Sequence, residues 1–254
     1  MNMKLFGAAL AIAAAVGSAN ADVESANVVG YSTQTLSADT WYMLAPQFNE
    51  VAAIDETTID LLKVAKFEGL VAKPWAQNAS ASQIKIIDPA TGGYTTYYYI
   101  TGAGGIGWRM NPAAPTKLPV KVGVGVWFKV AEASGTPSIT ISGQVKEGAS
   151  STTTVGDKGE WQIICNPFPV DLTIGKLTTS GLTAKPWAQN ASAPQIKVII
   201  PSTGGYTTYY YITGAGGTQW RKNPAAPAAT EKICGVGEAF WVKAPEEGVL
   251  TFSL

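Results

Sequence analysis

The sequence contains no histidine. Histidine is the commonest general base, the usual partner of a nucleophilic serine or cysteine, and a frequent zinc ligand. Its absence excludes Ser-His-Asp and Cys-His catalytic arrangements and leaves carboxylates as the candidates for acid–base chemistry. We therefore expect a non-enzymatic protein with no catalytic residues, no metal ligands and no cofactor.

Charged residues are also scarce, at 14% of the chain, and the 18 basic residues balance the 18 acidic ones. Without a basic excess, the chain lacks the electrostatic attraction that dominates binding to nucleic acid. We expect no nucleic-acid partner and no electrostatic attachment to an anionic membrane. Glycine, threonine, serine, alanine and tyrosine are plentiful instead, and this composition favours a secreted β protein.

Long apolar runs are missing beyond the N-terminus. Lys4 is followed by an apolar run over 5–16 and then by Ala19-Asn20-Ala21, which is the pattern of a secretory signal peptide. The run is too short to span a membrane, so no transmembrane helix is predicted. We expect residues 1–21 to be removed by cleavage after Ala21. The mature protein is then secreted or attached to the cell surface, with the periplasm as an alternative.

The sequence does contain an internal repeat. The octet KPWAQNAS occurs at 73–80 and again at 185–192, inside a 44-residue block that has seven differences between its two copies. The match continues more loosely on both sides: 41–48 aligns with 161–168, and Gly123-Val-Gly125 aligns with 235–237, each followed by Trp-x-Lys. Each unit covers roughly 110 residues, a common domain size. We predict two tandem domains of one fold, residues 22–145 and 146–254.

Strand signals dominate each unit. Residues 83–87 and 94–100 are rich in β-branched and aromatic side chains and flank a Gly-Gly turn, which predicts a β-hairpin. Further strands are predicted at 41–44, 124–130, 138–141 and 27–35, the last with a counterpart within 144–155. Only 58–67 has a helical pattern. The prediction is an all-β fold of two similar β-sandwiches or partly open barrels, with a short helical segment in the first.

Only two cysteines occur, Cys165 and Cys234. The alignment of the two units matches them to Ala45 and Val122, so two small apolar positions changed together, which suggests that the positions touch. In an oxidising compartment such a pair is expected to form a disulfide. A reactive thiol is the alternative, but the chain offers no histidine to activate one.

The repeated aromatic residues are the candidate ligand-binding groups. Alternation along 94–100 places Tyr97 and Tyr99 on one face of the strand and Tyr94 and Tyr98 on the other, so two tyrosines per unit are expected to be exposed. Tryptophans beside amides could stack on sugar rings and hydrogen-bond their hydroxyls; the set is Trp75, Gln77, Asn78, Trp108, Trp187, Gln189, Asn190 and Trp220. The alternative is that these tryptophans fill the ends of the sandwiches or the contact between domains.

These motifs together resemble a known group of proteins. The pattern is Trp-x6-Phe at 41–48, the hairpin, Gly-x-Gly followed by Trp-x-Lys, a Thr/Ser-rich strand, and the start Glu24–Tyr31. It is similar to β-rich repeat domains of secreted and surface proteins from Planctomycetes and Verrucomicrobia-type bacteria. The resemblance implies a secreted β protein and carries over no functional residue.

Three functions stay open at this point. The first is a secreted structural or adhesive surface protein, including a self-assembling form in which residues 27–35 add as a strand to another copy. The second is a bivalent carbohydrate-binding module whose two octets are exposed on the same side, with extracellular polysaccharide as the partner. The third is a hydrolase using carboxylates of the first unit, for which a solvated loop is the simpler interpretation; they are Glu50, Asp55, Glu56 and Asp60.

Overall fold

The structure, a computed structural model, describes residues 29–48, 58–88, 91–111, 117–121, 123–156, 159–224 and 231–254. The predicted signal peptide and the predicted strand residues 27–28 lie outside these ranges. The fold is all-β, as predicted. In the part of the chain that is described, no helix has the length and hydrophobicity needed to cross a membrane.

The described residues form eleven strands in each half of the chain. The first half contains β1 (Val29–Thr35), β2 (Trp41–Leu44), β3 (Thr58–Asp60), β4 (Ala65–Glu68), β5 (Lys73–Pro74), β6 (Gln83–Ile87), β7 (Tyr94–Gly102), β8 (Gly105–Arg109), β9 (Pro119–Lys121), β10 (Val126–Lys129) and β11 (Ser138–Gln144). The second half contains β12 (Ser150–Val155), β13 (Gln162–Cys165), β14 (Leu172–Thr173), β15 (Leu177–Ser180), β16 (Lys185–Pro186), β17 (Gln195–Ile200), β18 (Gly205–Gly214), β19 (Gly217–Arg221), β20 (Lys232–Cys234), β21 (Ala239–Lys243) and β22 (Gly248–Ser253). The helical elements are α1 (Leu61–Val64) and the 3-10 turns Trp75–Ser80, Glu132–Ser134, Ile174–Lys176 and Trp187–Ser192.

The strand order of the first half recurs in the second. In the first half, β1-β11-β4 form a small sheet, β2-β10-β6-β7-β5 form a large sheet with β8 beside β7, and β3 pairs with β9. The second half has β12-β22-β15, β13-β21-β17-β18-β16 with β19 beside β18, and β14 with β20. Each half has its own buried cluster between its small and large sheets. That either half folds alone, as domains 22–145 and 146–254 would, stays a prediction.

The predicted hairpin and its alternation are confirmed. Strands β6 and β7 pair antiparallel, with Gln83 opposite Tyr98 and Ile87 opposite Tyr94. Tyr97 is buried in the core of the first half, and Tyr99 packs against that core. Tyr94 is 59% exposed on the other face of the strand. The large sheet therefore has an inner face toward the core and an outer face away from it.

The short helical segment predicted in the first half is confirmed as helix α1, and long-range strand pairing takes the residues on both sides of it. Helix α1 has four residues, and the rest of 58–67 lies in β3, which pairs with β9, and in β4, which pairs with β11. The Asp60 carboxylate caps the helix by accepting from the Leu62 amide at 3.1 Å and also accepts from the Leu118 amide at 3.0 Å. Asp60 is thus a capping residue, while Glu50, Asp55 and Glu56 lie outside the described residues.

The two halves join through a closed ring of four strands. β2 pairs with β10 on one side, and its Leu44 bridges to Glu238 beside β21 on the other. β13 pairs with β21 on one side, and its Ile164 is bridged to Val124 beside β10 on the other. Strands β10, β2, β21 and β13 therefore hydrogen-bond in a ring, which we call the junction ring. Its reciprocal contacts are those of an approximate two-fold arrangement.

Matched backbone hydrogen bonds correct the sequence alignment at this junction. The Ala45 amide donates to the Gly237 carbonyl at 2.9 Å, and the Cys165 amide donates to the Gly123 carbonyl at 3.1 Å. Both glycines have positive φ, 83° at Gly123 and 79° at Gly237. The counterpart of Gly123 is therefore Gly237 rather than 235, because the second half has a two-residue insertion before this point.

The predicted disulfide is wrong, since both thiols are free and buried. Cys165 packs inside the junction ring, in a cluster with Met43 and Ala45. Cys234 packs in the core of the second half, where its thiol donates to the Glu238 carbonyl at 3.1 Å. The two side chains thus belong to different clusters.

Strand pairing shows why the alignment misled the disulfide prediction. Cys234 lies opposite Leu172 in the pair β14–β20, as Val120 lies opposite Ile59 in the pair β3–β9. The counterpart of Cys234 is therefore Val120, a core residue, rather than Val122, which lies outside the described residues. The two cysteines therefore stand where the first half has Ala45 and Val120, which belong to different buried clusters.

Candidate functional site

The repeated octet forms the same surface element in both halves. In the first copy, a two-residue strand paired with β7 leads into the 3-10 turn Trp75–Ser80. The backbone bends at Gln77, with φ −113° and ψ 20°. The Ser80 hydroxyl donates to the backbone carbonyl of Gln77 at 2.9 Å, and the side-chain amide of Gln83 donates to the backbone carbonyl of Ala79 at 3.2 Å. The second copy repeats these dihedral angles and these hydrogen bonds.

Each octet presents an aromatic pair beside unpaired amides. The Trp75 ring meets the Tyr98 ring edge-on with centroids 5.9 Å apart, and Trp187 meets Tyr210 at 5.7 Å. Both tryptophans are partly exposed. The side-chain amides beside them make no hydrogen bond with the described part of the protein; they belong to Gln77, Asn78, Gln189 and Asn190. These groups can therefore contact a ligand without breaking an internal bond.

Trp108 and Trp220, predicted with this set, lie elsewhere. Each is 3% exposed and belongs to the core of its half. Trp108 is a strand residue opposite Tyr99 on the inner face, with ring centroids 5.2 Å apart, whereas Trp75 stands on the outer face with Tyr98. Trp108 and Arg109 are the last two residues of strand β8. These two tryptophans fill the sandwiches and are not ligand-binding candidates.

A second aromatic group was missed from the sequence. Four partly exposed tryptophans lie in a row across the junction ring, in the order Trp41, Trp127, Trp241, Trp161. Successive ring centroids are 5.7, 5.9 and 5.5 Å apart, and the interplanar angles are 85°, 63° and 70°. We call this set the tryptophan row. Two of its members come from each half, so the row exists only where the halves meet.

A lysine and a tyrosine stand beside the row in each half. The Lys85 ammonium lies 5.0 Å from the centroid of Trp41 and 5.3 Å from that of Tyr94. In the second half, Lys197 lies 4.6 Å from Trp161 and 5.8 Å from Tyr206. These distances are typical of cation–π contacts. Among the described residues, neither lysine has a carboxylate partner.

Three members of the tryptophan row line an open cavity of about 480 Å³ between the halves, which we call the inter-half cleft. Its aromatic walls are Trp41, Tyr94, Trp127, Tyr206 and Trp241. Its polar side chains come from the first half and are Asp39, Thr40 and Lys85. The Asp39 carboxylate pairs with Lys129 at 3.0 Å, so its charge is balanced within the protein.

The octets and the row lie on the same face of their sheets. Residues directly opposite each other on neighbouring strands share a face. Lys85 lies opposite Trp127, while Gln83, two residues earlier, lies opposite Tyr98, the partner of Trp75. The outer face of each large sheet thus carries an octet, a lysine and two tryptophans of the row.

The sequence contained a faint signal for the row. Trp41 and Trp161 align, as do the tryptophans of the two Trp-x-Lys motifs, although most residues around them differ between the halves. Lys85 and Lys197 are identical within the repeat. The alignment gives no indication of the junction ring, the strand arrangement that brings the four tryptophan side chains into contact.

No protein family, no curated protein and no solved structure matches this chain. The resemblance to bacterial surface repeat domains therefore stays a prediction.

Proposed function

We propose that the chain is a secreted, non-enzymatic adhesive protein of the cell surface that binds extracellular polysaccharide through its two octets. The observation that supports this function is the doubled surface element, a partly exposed tryptophan with unpaired amides beside it. The aromatic ring offers an apolar surface for the C–H face of a sugar ring. The amides of Gln77 and Asn78 offer both donors and acceptors for hydroxyl groups.

Two equal sites on one chain favour a polymeric ligand. Once one octet holds a polysaccharide molecule, the second octet meets the same molecule at a high effective concentration. This raises the overall affinity by about 10²- to 10⁴-fold when both octets can reach it. This property suits an adhesin, which must hold a repetitive surface with sites that are individually weak.

The repeat argues against an enzyme with a site in each half. The near-identical block contains one carboxylate, Asp88, and its counterpart is Ile200. Asp88 has a structural role at the hairpin turn, where its carboxylate accepts from the Thr91 hydroxyl at 2.9 Å. A duplicated acid–base site would need its acids in both copies.

The test compares polysaccharide binding of the wild-type chain with that of octet variants. Glycan arrays and pull-downs with insoluble polysaccharides would be made for Trp75→Ala, Trp187→Ala, the double alanine variant and a matched double phenylalanine variant. We expect each single variant to lose avidity, the double alanine variant to lose binding, and the phenylalanine variant to retain part of it. Binding that is indifferent to all four changes would refute the octets as the sites.

Self-assembly is a second candidate, favoured by strand β1. It is an edge strand of its small sheet, and its outward side chains Tyr31 and Val29 are 78% and 60% exposed. An exposed apolar edge strand is a template for pairing with another chain.

We expect light scattering to detect oligomers that Tyr31→Lys dissociates, while the matched edge change Ser150→Lys in β12 leaves them intact. A wild-type chain that stays monomeric at high concentration excludes this candidate.

A further inference from the structure

The inter-half cleft is separate from the octets and has its own chemistry. We propose that it binds a single chain of an acidic polysaccharide, one built from uronate sugars. This site rests on the proposed carbohydrate-binding function, but it uses different residues and recognises charge as well as ring shape.

The size and lining of the cleft fit part of a sugar chain. A volume of about 480 Å³ falls within the range of small-molecule sites, about 300–1,000 Å³. Five aromatic rings line it, with three polar side chains along one side. Sugar rings have apolar C–H faces and polar edges, so a chain in the cleft can place its faces on the rings and its hydroxyls toward Asp39 and Thr40.

The angles between the rings favour a single flexible chain over a crystalline surface. A flat polymer sheet requires coplanar rings, but neighbours in the tryptophan row are tilted by 63° to 85°. Rings tilted in this way surround a ligand from several directions. The ligand is therefore expected to enter the cleft as one chain.

The lysines supply the preference for an acidic ligand. Lys85 lies in the cleft lining, and Lys197 lies beyond that lining, at the matching position over Trp161 at the other end of the tryptophan row. Both lysines are half-buried and hold their ammonium groups over aromatic rings, where a charge is screened less than on an open surface. Because neither has a carboxylate partner in the described ranges, a ligand carboxylate can pair with each. A chain that crosses the junction would meet one lysine on each side.

The experiment uses oligogalacturonate and a carboxyl-reduced oligosaccharide of the same length as probes. Calorimetry and tryptophan fluorescence would follow the binding of both probes to the wild-type chain. The test variant is Lys85→Gln/Lys197→Gln. The matched control is Lys66→Gln/Lys176→Gln, which removes the same charge from exposed positions outside the cleft. Thermal unfolding of each variant checks that the fold is retained.

We expect the wild-type chain to bind oligogalacturonate with fluorescence quenching, and the carboxyl-reduced probe at least about tenfold more weakly. The Lys85→Gln/Lys197→Gln variant should lose that preference and the control should keep it. Equal binding of both probes, an unaffected lysine variant or no binding of oligogalacturonate would each overturn the proposal.

The octet variant separates this site from the proposed function. Trp75→Ala/Trp187→Ala should lose adhesion to insoluble polysaccharide but keep the lysine-dependent affinity for short oligogalacturonate. If the octet change leaves adhesion intact while the lysine change abolishes oligogalacturonate binding, the octet function fails and the cleft stands. If the octet change abolishes oligogalacturonate binding in a folded protein, the cleft proposal fails.

Discussion

Each half of the chain has four tryptophans, and their surroundings divide them into two kinds. Trp108 and Trp220 are buried in the two cores, while the other six are partly exposed on or near the outer faces of the large sheets. Stability should therefore depend on the first kind and ligand binding on the second. Residue type alone does not distinguish them.

A pair of alanine variants tests this division. Trp108→Ala removes a ring packed against Tyr99 and Phe128 and should lower the free energy of unfolding by about 3–5 kcal/mol. Trp75→Ala removes a partly exposed ring and should cost about 1 kcal/mol. Urea unfolding followed by circular dichroism measures both losses. Equal losses would contradict the different burial of these two residues.

The two thiols should make stability depend on alkaline pH. Burial raises the pKa of Cys165 to about 12 from an ordinary value of 9.0, and burial also raises the pKa of Cys234. The folded state keeps the thiols protonated, while the unfolded state ionises them above pH 9.0. The contribution of the two thiols to the free energy of unfolding is therefore complete below that pH. It falls as pH rises toward 12, by about 1.4 kcal/mol per pH unit for each thiol.

The measurement is the midpoint of urea unfolding from pH 7 to 11, within the range where unfolding stays reversible. The double variant Cys165→Ala/Cys234→Ala should lose less stability above pH 9.0 than the wild-type chain. Ellman titration should detect no thiol in the native protein and two after denaturation. A disulfide in the native protein, detected by mass spectrometry without reduction, would contradict the free thiols.

At the scale of elements, a buried arginine closes the turn of the β7–β8 hairpin. The Arg109 side chain is fully buried and donates to the carbonyls of Ala103 at 2.7 Å and Gly105 at 2.8 Å. Arg221 does the same in the β18–β19 hairpin, donating to Ala215 and Gly217. This contact helps to explain why the glycine-rich turn and the arginine occur together in both copies of the block.

Replacing this arginine should loosen the hairpin. Arg109→Met retains much of the side-chain volume but removes charged donors to two carbonyls, so we expect a loss of about 2–3 kcal/mol in the free energy of unfolding. Arg109→Lys should lose less of the free energy of unfolding than Arg109→Met but remain below the wild-type chain, because an ammonium group lacks the planar fork of the guanidinium. The neighbouring change Met110→Ala, at an exposed residue, is the control. Faster amide hydrogen exchange confined to β7 and β8 would locate the effect, and unchanged exchange would contradict it.

At the scale of the whole molecule, the junction ring is the contact that places the halves together. Gly125 lies at its tightest point: an added Cβ would stand 2.4 Å from the Ala239 Cβ and 2.6 Å from the Ile163 Cγ2. Ala239 is its counterpart in the second half, so one small residue meets the other near the approximate two-fold axis. A larger side chain has no room there.

Gly125→Val should therefore separate the halves while leaving their cores folded. We expect Cys165, inside the ring, to become reactive to Ellman reagent, while Cys234, in the core of the second half, stays protected. Tryptophan fluorescence should shift to longer wavelength as the row is exposed. Gly93→Ala, in an open hairpin turn, is the control and should change neither signal. Reactivity of both thiols would indicate global unfolding instead.

Local patterns accounted for much of the secondary structure. The β6–β7 hairpin, the alternation of Tyr97 and Tyr98, and the strand at 41–44 follow from preferences that act over a few residues and from a two-residue period of burial. The short helix predicted within 58–67 is present as α1, and the residues on both sides of it form β3 and β4, whose partners lie about 60 to 75 residues away.

The amino-acid order alone was enough to predict an all-β chain and its internal repeat, because the first depends on local strand preferences and the second on direct comparison of the two copies. Only the tertiary structure decided that Trp108 is buried while Trp75 is accessible, that Cys165 and Cys234 lie in different clusters, and that four distant tryptophans form one row. Those outcomes depend on strand register and on the reciprocal contact of the two halves. Both are set by the packing of residues far apart in sequence, which no local pattern contains.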